Sequence, residues 1–362
     1  MASRSLAICP ASSTPGSSAK PSSCSACRRR AVGSGMTGTR GMAFGFRFSL
    51  QSRTVGAGSA SAMLRLLHPG RRGSSMSLHC EEVRLNLPHI ELAAHLYGPE
   101  DGPPVLALHG WLDNAMSFSR LAPRLAGLRI VALDFAGHGH SAHRPAGLGY
   151  SHWEHAFDVL QVAEQLGWQR FSLLGHSMGA IVAVLLAGAL PERVERLALI
   201  DGGMPITREA AEAPQQLGDA LRGHLALAGK RKPVYENVER AVLARMHGMA
   251  ALSREAAERL AERGLMPVPG GYTWRADSRL RLPYALRLDP AQAEAFLRAV
   301  RCPVSLVLAR EGLLAGRPSV AALLERLSFE VHELPGGHHL HLDDEAGAQA
   351  VADCFKALFP AS

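Results

Sequence analysis

The chain has 362 residues, of which 47% are hydrophobic, and its formal net charge is +7. This length and apolar content suit either one large α/β domain with an insertion or two smaller domains. Residues 1–80 contain eleven of the 39 Lys and Arg residues and no Asp or Glu, leaving 28 basic and 32 acidic side chains elsewhere. The excess positive charge therefore belongs to the N-terminal part, and the remainder is not predicted to bind nucleic acid.

The cysteines do not form the dense framework of a disulfide-rich secreted protein. They are Cys9, Cys24, Cys27, Cys80, Cys302 and Cys354. This scatter predicts a reducing compartment and a cytoplasmic protein. The Cys24 to Cys27 pair has no second pair or histidine cluster beside it, so we expect no metal there, and no other cofactor is indicated. No apolar run reaches the ~18 to 20 residues of a membrane span.

Residues 1–75 are rich in Ser, Gly, Ala and Arg and show little apolar periodicity. Such a composition buries too little surface to offset the entropy of ordering, so disorder is expected. Three interpretations are open: an organelle-targeting segment, a basic tail for nucleic acid or membrane surfaces, or an untranslated stretch before a start at Met76. The abrupt change of composition at Met76 favours the third.

From residue 81 the pattern becomes regular. Short apolar or alternating runs predict strands at residues 83–87, 90–97, 105–108, 129–134, 171–174, 196–201 and 304–309. Helical patterns occupy residues 117–126, 153–166 and 180–190. The first two strands are predicted to be antiparallel around a turn at Pro88, and the later alternation of strands and helices predicts a mainly parallel, doubly wound sheet.

The alternation stops between residues 203 and 300. Residues 239–247 and 253–263 consist largely of good helix formers, and residues 267–271 form a polar turn segment. We interpret residues 203–300 as a helical cap inserted between two parts of one core, residues 80–202 and 301–362. Ligand sites in such sheets lie beyond the carboxyl ends of the strands, where the cap can cover them.

One pentapeptide, Gly175-His176-Ser177-Met178-Gly179, lies between a predicted strand and a predicted helix. A strand that turns into a helix this quickly strains the central residue, and side chains two positions before or after it would collide. This context favours a nucleophile elbow over a chance glycine-bearing loop. Ser177 would project from the turn at a helix N-terminus, where N–H groups favour developing negative charge.

A serine hydroxyl needs a base, and the strongest candidate is His338, which follows two glycines near the end of the chain. The base in turn needs a carboxylate. Asp201 ends one predicted strand and Glu311 follows the next. We favour Asp201 and keep Glu311 as the alternative.

An oxyanion hole requires two N–H donors. Met178, directly after the serine, and Trp111, in the loop after the strand at 105–108, are the predicted donors. His109 and His176 are expected to support these loops by packing and hydrogen bonding.

Several motifs occur in the expected order: HGWLDN, DFAGHGHS, GHSMG, YTWRADSRLR and PGGHHLHLD. Together they resemble the α/β-hydrolase superfamily, and closely the serine hydrolase-like proteins, over about residues 80–360. The resemblance implies an α/β-hydrolase fold with a helical cap and a Ser/acid/His hydrolase acting on an ester or related small acyl compound. Ser177 and His338 would be its nucleophile and base.

The resemblance leaves three points open. An aspartate is missing near residues 311–313, so the acid is not assigned. The segment at residues 271–279 marks the serine hydrolase-like group without revealing its role. A catalytically silent ligand-binding relative is an alternative, as are a C–C bond hydrolase, an amidase and a perhydrolase, because the fold does not fix the reaction.

Overall fold

The structure is a computed structural model, and it describes residues 80–227, 230–248 and 250–360. The predictions for residues 1–75, the start at Met76 and the Cys24 to Cys27 pair lie outside these residues. Among the helices described, none is both long and apolar enough to cross a bilayer.

A large sheet forms the centre of the described chain. Its strands are β1 (Glu81–Asn86), β2 (Glu91–Tyr97), β3 (Pro104–Leu108), β4 (Arg129–Leu133), β5 (Phe171–His176), β6 (Val194–Ile200), β9 (Val304–Glu311) and β10 (Glu330–Gly337). They are ordered β1-β2-β4-β3-β5-β6-β9-β10. Strand β2 pairs antiparallel with β1 and β4, and all other pairs are parallel. The predicted fold class is confirmed, although sequence analysis had not identified β10.

Helices cover both faces of this sheet. The helices of the described chain are α1 (His152–Gln165), α2 (Met178–Ala189), α3 (Ala213–Leu227), α4 (Val238–Met246), α5 (Arg254–Gly264), α6 (Pro290–Ala299), α7 (Pro318–Leu324), α8 (Leu340–Asp343) and α9 (Glu345–Phe355), of which α3, α4 and α5 do not pack on the sheet. Alternate residues of β3 show the two faces: Leu106 and Leu108 pack into one core cluster, Val105 and Ala107 into the other. Because both faces of the sheet are covered by other parts of the chain, the parallel strands consist of continuous apolar runs.

The helix predicted at residues 117–126 is wrong. The chain forms two short 3₁₀ turns instead, at Ala115–Phe118 and Ala122–Arg124. Pro123 lies in the second turn, where its missing N–H and fixed ring prevent a continuous α-helix. The side chain of Asn114 caps the first turn by accepting the Met116 N–H at 3.0 Å.

Between β6 and β9 the chain forms α3 to α6 and a small hairpin. The hairpin consists of β7 (Leu265–Val268) and β8 (Gly271–Trp274), paired antiparallel. The polar turn segment predicted at residues 267–271 is therefore partly strand, with its turn at Pro269 and Gly270. Helices α4 and α5 and the hairpin share an apolar cluster that includes Ala257 and Leu260.

Gly179 is one of the positions where the fold leaves no room for a side chain. A Cβ added there would lie 1.9 Å from the Leu108 carbonyl oxygen, which belongs to backbone and cannot move aside. We expect Gly179→Ala to lower the free energy of unfolding by at least about 3 kcal/mol, measured by urea denaturation. Gly149→Ala is the control, because a Cβ there meets open space. Equal urea midpoints for Gly179→Ala and Gly149→Ala would contradict the close contact between Gly179 and Leu108.

Candidate active site

Ser177 lies at the tip of the turn between β5 and α2. Its backbone has φ 51° and ψ −115°, a strained conformation for a residue with a side chain. Gly175 relieves crowding on one side, since a Cβ there would lie 2.5 Å from the Ala180 Cα. Such strain persists only where the surrounding structure imposes it, and here β5 and the fully apolar α2 do so.

Three predicted side chains meet at this turn. Ser177 Oγ lies 2.8 Å from His338 Nε2, and His338 Nδ1 lies 2.5 Å from Asp201 Oδ2. A carboxylate only accepts hydrogen bonds, so Nδ1 of His338 carries the proton. In the neutral ring Nε2 is then an acceptor, and it receives the Ser177 hydroxyl proton. This is the tautomer that a general base for serine requires.

Asp201 follows directly after β6 and has φ 38°. Its Oδ2 accepts the Leu313 N–H at 2.9 Å and its Oδ1 the Ala309 N–H at 3.3 Å. Because β6 and β9 are neighbours, the carboxylate reaches into the loop after β9. Gly312 leaves room for it, since a Cβ there would lie 2.4 Å from Oδ2.

Glu311, the alternative acid, does not contact His338. It is exposed at the end of β9, and its Oε2 accepts the Gly336 N–H at 3.0 Å. Its role in the structure is to join the ends of β9 and β10. The geometry therefore brings Asp201, and not Glu311, to the histidine.

The site favours a neutral base beside a charged acid. Burial lowers the pKa of His338 below its ordinary value, although the hydrogen bond to Asp201 acts in the opposite direction. Burial alone would raise the pKa of Asp201, but the hydrogen bond and charge of His338 and the two backbone N–H groups bring it below its ordinary value. At neutral pH the histidine is thus ready to accept a proton.

The two predicted oxyanion donors are available. Met178 is the first residue of α2, and Trp111 follows β3 in a loop that lines the same cavity as Ser177. Within residues 80–227, 230–248 and 250–360, neither backbone N–H donates a hydrogen bond. Both are free to bind an oxygen that becomes negatively charged.

Buried histidines hold the loops around the site. His109 donates from Nδ1 to the Gly110 carbonyl oxygen at 2.7 Å and accepts the Phe135 N–H at Nε2 at 3.1 Å. His176 Nε2 donates to the carbonyl oxygen of His338 at 2.9 Å. These contacts match the supporting role expected for His109 and His176.

Sequence analysis missed a network centred on Asp113. Its Oδ1 accepts from Arg245 Nη2 of the insertion at 2.6 Å, and its Oδ2 accepts from His339 Nε2 at 3.1 Å. Burial alone would raise the pKa of Asp113, but His339, His176 and Arg245 hold it well below its usual range. The network fixes the neighbour of His338 against the loop that carries Trp111. The aspartate of HGWLDN was the one available signal.

The same network contains atoms that could ligate a metal. Single ligand atoms of Asp113, His176 and His339 lie within 4.8 Å of one another, and all three residues are buried. Both carboxylate oxygens of Asp113 are already hydrogen-bonded, whereas Nδ1 of His176 and Nδ1 of His339 are buried without a hydrogen-bond partner among the described residues.

A cavity of about 370 Å³ opens over Ser177. Its apolar lining comes from both the core and the insertion: Trp111, Leu112, Ala244, Ala250, Trp274 and Ala276. The charged side chains that line it are Asp113, Arg245 and Arg281. The cavity thus combines a largely apolar lining with Ser177 and His338 in its wall.

Comparison with known proteins agrees with this architecture. Residues 103–345 match the α/β hydrolase fold family. The serine hydrolase-like protein of Danio rerio is 33% identical over 79% of this chain and 92% of its own length.

Two solved structures are also similar. A hypothetical protein of Pseudomonas aeruginosa PAO1 is 72% identical, with a TM-score of 0.77 over 78% of this chain and 100% of its own. The thioesterase domain from the curacin biosynthetic pathway is 28% identical, with a TM-score of 0.68 over 77% of this chain and 99% of its own.

Proposed function

This chain belongs to the α/β-hydrolase fold family, and from that premise we propose that it cleaves a carboxylic ester or related acyl compound through an acyl-enzyme on Ser177. One observation carries the proposal. His338 lies within hydrogen-bond distance of Ser177 on one side and of Asp201 on the other. The nucleophile, the base and the group that orients the base are therefore in contact before any substrate arrives.

In the first half of the reaction Ser177 Oγ forms a bond to the carbonyl carbon while its proton passes to His338 Nε2. The carbonyl oxygen becomes an oxyanion, which the N–H groups of Trp111 and Met178 stabilise. The ester C–O bond then breaks, and the leaving alkoxide takes the proton from Nε2. The products of this half are an alcohol and an acyl-enzyme.

In the second half water replaces the alcohol. His338 takes a proton from the water as the hydroxide oxygen bonds to the acyl carbon, and the same two N–H groups receive the second oxyanion. The bond to Ser177 Oγ breaks, and the proton on His338 returns to the serine. The acid product leaves, and no cofactor is needed to balance the step.

An acyl substrate agrees with the comparisons. The curacin relative is a thioesterase domain by name, and a thioester differs from an ester only in the atom of the leaving group. Serine at position 177 also distinguishes the chain from superfamily members that use an aspartate nucleophile.

A fluorophosphonate probe tests the nucleophile directly. We expect labelling at Ser177, mapped by mass spectrometry, with a rate that depends on pH. The base must be neutral, and burial holds the pKa of His338 below its ordinary value of about 6.5. The rate should therefore be constant above pH 7 and fall only as the pH drops through a value below 6.5.

Esters of increasing acyl length then define the substrate size that the cavity accepts. Absence of probe labelling in folded protein would favour the catalytically silent, ligand-binding alternative.

A further inference from the structure

The segment YTWRADSRLR, residues 272–281, is held in place by hydrogen bonds to its own aspartate, Asp277. Asp277 is buried, and its carboxylate binds Arg279 Nη2 at 2.6 Å and the Tyr150 hydroxyl at 2.8 Å. It also caps a 3₁₀ turn at residues 278–281 by accepting the Arg279 N–H at 2.9 Å. These contacts hold the segment in place, and His143 Nδ1 also lies 3.3 Å from Asp277 Oδ2.

Arg279 joins the segment to the loop before α1. Its Nη atoms donate to the carbonyl oxygens of Arg144 and Pro145, both at 2.6 Å, and of Leu148 at 2.8 Å. The guanidinium also lies 5.4 Å from the centroid of the Tyr150 ring. Arg279 is thus fully engaged in structure and is not available to a ligand.

The next residues reach the active site. Trp111 Nε1 donates to the Leu280 carbonyl oxygen at 2.8 Å, so the loop carrying an oxyanion donor is tied to the segment. Arg281 follows immediately and lines the same cavity as Ser177 and His338. The anchored backbone therefore places Arg281 at the wall of this cavity.

Arg281 has no anionic partner among the residues that the structure describes. The nearby carboxylate of Asp277 is bound to Arg279, and that of Asp113 is bound to Arg245 and His339. Arg281 is exposed to solvent, and this positive charge at the edge of the cavity has no carboxylate partner among the described residues.

A second cation increases this local potential. Lys232 Nζ donates to the carbonyl oxygens of Trp274 and Arg275 at 3.1 and 3.0 Å. Burial lowers the pKa of Lys232; the negative charge of Asp277 opposes this shift, and the smaller effect of Arg281 adds to it.

We propose that Arg281 binds a carboxylate at the far end of the acyl chain, so that the enzyme prefers acyl substrates with a terminal anion. The preference rests on the proposed function of Ser177, which supplies the reaction. The apolar lining contributed by Trp111 and Trp274 would contact the methylene chain, and the guanidinium would form charge-assisted hydrogen bonds with the carboxylate.

Matched esters test the preference. The p-nitrophenyl monoesters of adipic and suberic acid are compared with the same compounds capped as methyl esters, with spontaneous hydrolysis subtracted. We expect kcat/KM to favour the free carboxylate by about 10- to 100-fold, the range for a hydrogen-bonded charge. In Arg281→Gln the ratio should fall to about 1, and Arg281→Lys should retain part of it.

Arg287→Gln is the matched control. Arg287 lies on the same connection, six residues further along, and lines a different cleft. Removing its positive charge changes the net charge equally and should leave the ratio at the wild-type value. An equal loss in both variants would mean that general electrostatics, not a site at Arg281, causes the preference, and would overturn the proposal.

A binding measurement separates this inference from the proposed function. Trp111 and Trp274 line the cavity, so their fluorescence reports adipate binding to Ser177→Ala protein without turnover. We expect the apparent affinity for adipate to weaken at least about tenfold when Arg281→Gln is added, and dimethyl adipate to show no such difference.

If neither ester is cleaved but adipate binding depends on Arg281, the proposed function fails and the anion site stands. If both esters are cleaved equally and adipate binding is insensitive to Arg281, the anion site is refuted and the proposed function stands.

Discussion

Replacing Ser177 with alanine is expected to lower kcat for p-nitrophenyl esters by about a millionfold. The rate that remains is the one that substrate binding and the oxyanion hole provide without a nucleophile. Removing the nucleophile of a serine triad costs on this order because no other group can form the acyl-enzyme. In this chain His338 Nε2 directs its lone pair at Ser177 Oγ, 2.8 Å away. Steady-state and single-turnover kinetics on purified protein measure the loss.

The triad should also behave as one unit. His338→Ala alone should cost nearly as much as Ser177→Ala, and the double variant should lose no further activity. Additive losses, or residual activity within about a hundredfold of wild type, would mean that Ser177 and His338 do not act on the same proton.

Folding provides the control for Ser177. Its side chain makes no capping hydrogen bond to α2 and loses only the bond to His338, so alanine should lower the free energy of unfolding by no more than about 1 kcal/mol. Glycine should raise it, because φ 51° costs glycine nothing and a residue with a side chain about 1 kcal/mol. A large drop in stability for Ser177→Ala would instead attribute lost activity to unfolding.

The elbow could be predicted from sequence because its constraint is local. Gly175 and Gly179 are needed at fixed distances from Ser177, since the turn brings backbone atoms within 3 Å of the positions that their Cβ atoms would occupy. The strand ends were predictable for a similar reason: apolar runs mark parallel strands, and chemical groups follow directly after them. His338 could be chosen because Gly336 and Gly337 precede it.

The acid could not be decided in this way. Asp201 follows β6 and Glu311 ends the neighbouring strand β9, so the sequence allows either carboxylate to reach the histidine. Which carboxylate contacts His338 depends on the direction of its side chain at the end of the strand. The pattern of apolar residues does not predict this direction. Gly312 was a usable signal, because a side chain there would collide with the Asp201 carboxylate.

Contacts between the core and the insertion could not be predicted from the sequence either. The Asp113 to Arg245 pair joins residues far apart in sequence, and Trp111 meets Leu280 across a still longer separation. Neither contact leaves a local pattern, because each depends on how the insertion docks. This is why the role of residues 272–281 emerged only from three-dimensional contacts.

Asp201→Asn is expected to reduce kcat by about 10³- to 10⁴-fold, close to the loss in the best studied serine triad. A neutral amide cannot balance the imidazolium that forms on His338. If the amide nitrogen faces Nδ1, its N–H also forces the histidine proton onto Nε2, and the base is lost. Pre-steady-state measurement of acylation separates this effect from product release.

Glu311→Gln is the control that gives the Asp201 result its meaning. Both changes replace one carboxylate by an amide near the end of a neighbouring strand, but the Glu311 carboxylate binds only the Gly336 N–H. A glutamine oxygen can accept that bond equally well, so kcat should stay within about threefold of wild type. A large loss of kcat in Glu311→Gln, together with a mild loss in Asp201→Asn, would identify Glu311 as the acid of the triad. Equal, mild losses of kcat would mean that neither carboxylate is the acid of the triad. Loss of the charge that orients the histidine is expected to cause a large fall in activity.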